Sequence, residues 1–499
     1  MRHSAAKYPS SQHGIALLIF VIVLAFASIS YTLGNISVEQ LRSEQAASTQ
    51  SALQRAKQAL LDHAVTHYDR YPGEFGFLPC PDYKDDTFTV EGGGDGNCGT
   101  VQVNNLGLFP WASLETGILR SGTGECLWYG VSGEYKHSNN NPPMLNQDTN
   151  GAIRLYDSDG TIRQGLQPQD RVVAVVIDPS GLLPSQNGNR SFDDTSLCGK
   201  DYSPARYLEG NGAINNAVLS GGVLDIDDFI IRGPGTDELD TPFNDQMVFI
   251  TREELWDAVR KRKDFVENTD STMRRITEAL AWCIAEYGNN TINRKLPRPA
   301  AVDFGGLDYR KNINYSDTAT ATYVGRYPYT VIDSDKDINH ANAPNPGVAR
   351  LFDKGFCSAL TVNSGGPVVN LSSTGDDQTI WKNWKDHFFY AASSRYAPST
   401  ASAETSWPAC DGIDCVGVDD ASGTRKEYAA VVLFAGEREG GQIRNEPVAD
   451  GTDTKNNLDS YLEVANPIGD GTGDYTPTGN DIAFCITDES TFRAVSCPE

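Results

Sequence analysis

The alternation of apolar and polar positions changes character several times along the chain. Residues 1–14 (MRHSAAKYPSSQHG) are polar, with Arg2 and Lys7 and no acid. Ile15 to Leu33 then reads IALLIFVIVLAFASISYTL without a charge. As a helix rising 1.5 Å per residue this run is roughly 28 Å long, about one bilayer hydrocarbon core. From Asn35 to Tyr68 there is neither Pro nor Gly, and Leu41, Leu53, Ala56, Leu60 and Ala64 fall on one helical stripe among polar residues. The pattern predicts an apolar half-helix running straight into an amphipathic half-helix.

Beyond residue 70 the chain reads as short strands separated by long polar loops, and its landmarks recur once in the same order. Ala59-Leu60 precedes Leu78-Pro79-Cys80-Pro81, as Ala279-Leu280 precedes Leu296-Pro297-Arg298-Pro299. Trp128-Tyr129-Gly130-Val131-Ser132-Gly133-Glu134-Tyr135 is matched by Phe389-Tyr390-Ala391-Ala392-Ser393-Ser394-Arg395-Tyr396. Buried-strand runs follow, Val172 to Ile177 and Ala429 to Phe434, then Tyr207-Leu208-Glu209 and Tyr461-Leu462-Glu463. Asn244-Asp245 with Ile250-Thr251 recurs as Asn480-Asp481 with Ile486-Thr487. The period is too long for a solenoid and implies two tandem domains of about 200 residues. The second copy opens with a helix over about Ser271 to Tyr287, with Met273, Ile276, Leu280, Cys283 and Tyr287 on one stripe and Gly288 as its stop. A bridging helix precedes it. Thr251-Arg252-Glu253-Glu254 is a capping box, and the basic run Arg260-Lys261-Arg262-Lys263 meets the helix C-terminal dipole. Helix followed by antiparallel sheet is an α+β arrangement.

Composition narrows the function classes. With 41 Lys plus Arg against 66 Asp plus Glu, the formal charge is -25, which disfavours sequence-blind contact with nucleic acid. Ten cysteines form no CxxC pair and no zinc-ribbon spacing. An even, scattered set in a large chain fits disulfides in an oxidising compartment. Cys80 with Cys98, Cys410 with Cys415 and Cys485 with Cys497 are the candidate local pairs.

Other chemistry is sparse. Asp333, Asp335 and Asp337 have the one-three-five spacing of a calcium loop. Ile338 stands where the turn Gly belongs and Pro344 where the Glu belongs, so an EF-hand is excluded and only a looser calcium site remains a candidate. Asp157-Ser158-Asp159-Gly160 and Asp82, Asp85 and Asp86 are weaker clusters. His63 and His67 are four apart but belong to no HExxH, and are read as polar residues of the stalk helix. Asn244-Asp245 and Asn480-Asp481 are read as strand-initiating turns. There is no GxSxG elbow, P-loop or dinucleotide fingerprint, so the chain is read as a non-enzyme with no resident cofactor beyond calcium.

The N-terminal segment has three readings. Ala25-Phe26-Ala27 fits the A-x-A site of a cleavable secretory signal, and the apolar run alone fits a plain membrane anchor. The third is a resemblance. Gln12-His13-Gly14 followed by Ile15-Ala16-Leu17-Leu18-Ile19-Phe20 resembles the type IV prepilin signal, and the helix that continues past the apolar run is similar to the pilin stalk. The stretches LPCPD, LFPW and LWYGVS also resemble large proteobacterial prepilin-like proteins. The resemblance implies cleavage after Gly14 by a prepilin peptidase, with methylated Ile15 as the new N-terminus. Most pilins carry Glu at the fifth mature position; Ile19 stands there, a departure shared with K-type pseudopilins and X-type minor pilins.

The expected fold is therefore α+β. A long N-terminal pilin-type helix, with a membrane half and an amphipathic half, carries two tandem pilin-like heads of antiparallel sheet and long loops. The expected division is a leader over 1–14, a transmembrane half-helix over 15–34, a stalk over 35–70, a first head over 71–250, a bridging helix over 251–270 and a second head over 271–499. The expected role is a structural minor pilin or pseudopilin that enters or caps a filament and displays large acidic heads. Its expected partners are other pilins through the N-terminal helix, the prepilin peptidase, the inner membrane and a surface or secreted ligand, with no nucleic acid. The expected location is the inner membrane by a single pass, with heads in the periplasm or at the cell surface. A secreted or membrane-tethered binding protein outside any filament is the alternative.

Overall fold

The computed structural model describes residues 13–82, 90–94, 98–137, 143–183, 190, 196–199, 201–211, 214–231, 243–266, 271–291, 294–317, 323–331, 349–351, 357, 369–371, 376–398, 410, 414–420, 422–439, 441–445, 455–462, 474–476 and 480–498, by backbone alone at 13–16, 32–39, 349–350, 376 and 474. Helix α1 spans His13–Arg70, 58 residues in one element. From Leu17 to Tyr31 its described side chains are all exposed. Docking begins at Thr49, after which Ala52, Leu53, Ala56, Leu60, Leu61 and Ala64 are buried. Leu41, placed on the same stripe by spacing, is exposed because the body does not reach that turn of the helix.

The docked part of α1 lies on a first sheet. Its strands are β1 (Asn105–Leu108), β2 (Trp128–Val131), β3 (Ile153–Tyr156), β4 (Ile162–Gln164) and β5 (Val172–Asp178) in the order β1-β2-β5-β3-β4. A small hairpin, β6 (Gly210–Asn211) and β7 (Ile214–Asn215), precedes β8 (Asp227–Ile230) and β9 (Gln246–Thr251). β8 adds to β3 and β9 to the free edge of β5. Helix α2 (Arg252–Arg260) follows directly, and the Thr251 hydroxyl accepts a hydrogen bond from Glu254 N, capping it.

Helix α3 (Thr272–Asn290) opens the second unit. Strands β10 (Val324–Arg326), β11 (Thr330–Val331) and β12 (Ala349–Arg350) precede helix α4 (Asp376–Trp384) and β13 (Phe388–Ala392). Then come β14 (Val416–Asp419), β15 (Arg425–Tyr428), β16 (Ala430–Phe434), β17 (Asp474–Tyr475), β18 (Ile482–Asp488) and β19 (Phe492–Ser496). The second main sheet runs β10-β13-β16-β18-β19.

The two sheets share one pairing scheme. Val131 lies opposite Ala174, and Ala174 opposite Ile250; Ala392 lies opposite Ala430, and Ala430 opposite Ile486. Leu78 N donates to Tyr135 O just as Leu296 N donates to Tyr396 O. The register pairs Ala174 with Ala430, one residue away from the match of Val172 with Ala429 that the letters suggest. A bulge between Val172 and Ala174 accounts for the slip. Both faces of each sheet are covered. One large core joins α1, α2, α3 and α4 to one face of both sheets, while separate cores around Trp128 and Phe389 cover the opposite faces. Burial on both sides is why β5 and β16 read as unbroken apolar runs.

Three expectations are corrected here. The fold class expected a pilin-type helix with a membrane half, yet among the described residues no helix is long and apolar enough to cross a membrane. The uncharged apolar run ends at Leu33, and Glu39, Arg42 and Glu44 follow on the same helix. Docking on the body begins only at Thr49, and the body is mostly short sheet and loop. The single-pass inner-membrane location rested on that span and is corrected with it. The sheets are also not wholly antiparallel, since β8 runs parallel to β3 and β17 parallel to β14.

Candidate functional site

Five disulfides pin the loops: Cys80–Cys98, Cys126–Cys198, Cys283–Cys357, Cys410–Cys415 and Cys485–Cys497. The three short ones join the residues that spacing singled out. The two long ones close loops of 72 and 74 residues, and no local spacing announces them. Gly14 and Ile15 lie in the first turn of α1, described by backbone only. Asp333, Asp335 and Asp337 lie outside the described residues.

The other acidic motifs settle into turns. Thr161 N donates to Asp159 Oδ1, and Gly160 N to Asp157 O, which closes the β3–β4 connection. Asp82 is buried and accepts from Gly92 N at 2.8 Å. Asp245 Oδ2 accepts from Glu209 N, and Glu209 Oε2 accepts from Asp245 N, a reciprocal clasp between the two landmark motifs of the first unit. Burial first, then the Glu209 charge, pushes the Asp245 carboxyl well above the usual carboxylate range.

Two clusters are assembled only by the fold. One lies between the two units and is fully buried. His387 Nε2 sits 3.0 Å from Asp148 Oδ2, and its Nδ1 sits 2.9 Å from Asp386 Oδ1. Asp386 also accepts from Asn146 Nδ2 at 2.9 Å and from Lys455 Nζ at 2.5 Å. Burial alone would raise the Asp386 carboxyl. Lys455, His387 and Arg326 outweigh it and hold that carboxyl well below the ordinary range. All four of Asp148, Asp386, His387 and Lys455 are buried, so the cluster offers a substrate no access. Its chemistry is that of a charged clasp across the seam.

The other cluster stands where α1 ends. α1 carries His67 on its last buried turn, three residues beyond Ala64. The chain then turns through Gly73, at φ +90°, and brings Glu74 back beneath it. His137 arrives from the loop after β2, its N–H donating to Leu78 O. Both imidazoles reach the same carboxylate oxygen: His67 Nε2 and His137 Nε2 lie 3.2 and 3.1 Å from Glu74 Oε2. His67 and His137 also meet edge to face with centroids 4.6 Å apart, and Tyr71 stacks on His67 at 4.7 Å. Burial lowers the His67 pKa, only partly offset by Glu74, and burial with His67, Arg70 and His137 nearby takes His63 down to about 3. Burial would raise Glu74, but the two imidazoles bring it down to about 2. An open cleft of about 380 Å³ adjoins the group, lined by His63, Thr66, His67, Asp69 and Arg70.

The stalk-helix reading of His63 and His67 therefore holds for their position and misses their company. The spacing i, i+4 was the only local signal. His137 is 70 positions beyond His67 and reaches it through the Leu78–Tyr135 hydrogen bond. No protein-family model, no curated protein and no solved structure matches the chain.

Proposed function

We propose that this chain is a structural subunit of a filament-type assembly, in the sense of the minor pilins and pseudopilins its first residues resemble. The apolar end of α1 packs among like helices, and the disulfide-pinned acidic body is displayed for contact with a partner or surface. The observation that carries this reading is one uninterrupted helix with two different environments. Thr49 to Ala64 is docked on the body, while Leu17 to Tyr31 is apolar around its whole circumference and exposed. A helix apolar on all sides is stable in place only when other apolar surface covers it. A second copy of the same segment supplies a matching cylinder without charges to desolvate. The absence of a carboxylate at Ile19 suits a low-copy or terminal position.

Leu24→Arg tests this. Leu24 is 53% exposed in the single chain, so the body should melt as the wild type does. Burying such a side chain is worth about 1.5–3 kcal/mol, and a buried Arg costs more, so the variant should vanish from sheared filament fractions that contain the wild-type chain. Filament incorporation equal to wild type, or a mature chain that begins at Ser28, refutes the proposal. The second result favours a secreted binding protein.

A further inference from the structure

We propose that His67, Glu74 and His137 bind a zinc-class divalent ion, which ties the end of α1 to the loop after β2, with water from the adjoining cleft completing the coordination. The ligand atoms already converge: all three lie within 4.8 Å of one another. The two nitrogen–oxygen separations, 3.1 and 3.2 Å, approach the edge of a tetrahedron built on metal–ligand bonds of about 2.0–2.1 Å, which is roughly 3.3–3.4 Å. Two imidazoles and one carboxylate are the donor set of zinc-class ions. Calcium and magnesium prefer oxygen alone.

The second unit supplies an internal comparison. The match of Ala59-Leu60 with Ala279-Leu280 sets His67 against Tyr287 and His63 against Cys283, and the shared strand pairing sets His137 against Pro398, so the corresponding positions of the second unit carry no imidazole. Tyr287 and Cys283 are buried, and Cys283 is closed in a disulfide with Cys357. The fold therefore does not need histidines at these positions, and their convergence in the first unit calls for a separate cause. Arg70 on the cleft wall opposes a cation, while Asp69 beside it offsets that charge.

The full chain, stripped with chelator and titrated with Zn²⁺, should take up one equivalent and melt at a higher temperature. Co²⁺ should give the visible bands of a four-coordinate nitrogen–oxygen site. Glu74→Gln keeps the shape of the side chain, and His137→Asn keeps a polar group at a mostly buried position. Each should weaken Zn²⁺ by more than the ~10–100-fold typical of outer-shell changes, and should lose the Zn²⁺-dependent rise in melting temperature whatever its metal-free midpoint. His63→Asn should bind Zn²⁺ within a few-fold of wild type. Absence of uptake by the wild-type chain overturns the proposal, as does unchanged affinity in Glu74→Gln. In either case the group is a hydrogen-bonded His–Glu–His triad.

Discussion

Asp386→Ala is the sharpest probe of how the two units hold together. The carboxylate faces Lys455 Nζ at 2.5 Å, Asn146 Nδ2 at 2.9 Å and His387 Nδ1 at 2.9 Å, and Arg326 donates to the backbone oxygen of the same residue. Lys455 and Arg326 are both buried. Truncation leaves Lys455 without its carboxylate in a site water cannot reach, a situation that costs about 3–5 kcal/mol. For a body of roughly 430 residues the unfolding entropy is about 0.9 kcal/mol/K, so the melting midpoint should fall by about 3–6 °C. Asp386→Leu combined with Lys455→Met removes the pair together and should recover most of that loss. The pH dependence has a fixed sign. Because its folded pKa lies below the unfolded value of ~3.8, Asp386 contributes stability above that pH and loses it as pH falls through the folded value. Calorimetry across pH 2–7 should show a shallower acid slope for Asp386→Ala than for wild type. A midpoint within 1 °C of wild type at pH 7, or a double variant no better than the single, refutes this account.

Loop size should rank the disulfides. The chain-entropy relation gives about 4.4 kcal/mol for the 74-residue loop of Cys283–Cys357 and about 2 kcal/mol for the 5-residue loop of Cys410–Cys415. Paired Ala substitutions followed by denaturant titration should reproduce that order, and equal losses would count against it. Lys385 is fully buried, donating to Lys382 O at 2.7 Å, and burial draws its pKa down to about 7. Between pH 7 and ~10.4 the unfolded chain holds a proton that the folded chain has released, so stability should rise with pH across that window. Lys385→Met should flatten the rise, and a slope identical to wild type would refute the assignment.

Sequence alone was enough to place α1, α2, α3 and the central strands β5 and β16, because each is written in local periodicity; α4 and most of the short strands were not placed. Leu53, Ala56, Leu60 and Ala64 in α1, and Met273, Ile276 and Leu280 in α3, repeat at helical spacing and are buried on one face. The apolar runs at Val172 and Ala429 became strands covered on both sides, and Thr251 caps α2 through Glu254 N. Three short disulfides were visible for the same reason, since a loop of 5 to 18 residues keeps its ends close. Matching letters left the register open by one residue. A one-residue slip exchanges the faces of a strand, and only the bulge at Val172/Ala174 decides it. Tertiary structure also decided where α1 leaves the body, which turned Leu41 outward. It alone brought His137 to His67 and Asp148 to His387. Those meetings depend on the packing of segments some 70 to 240 residues apart, and no nearest-neighbour pattern in a chain encodes a distance of that kind.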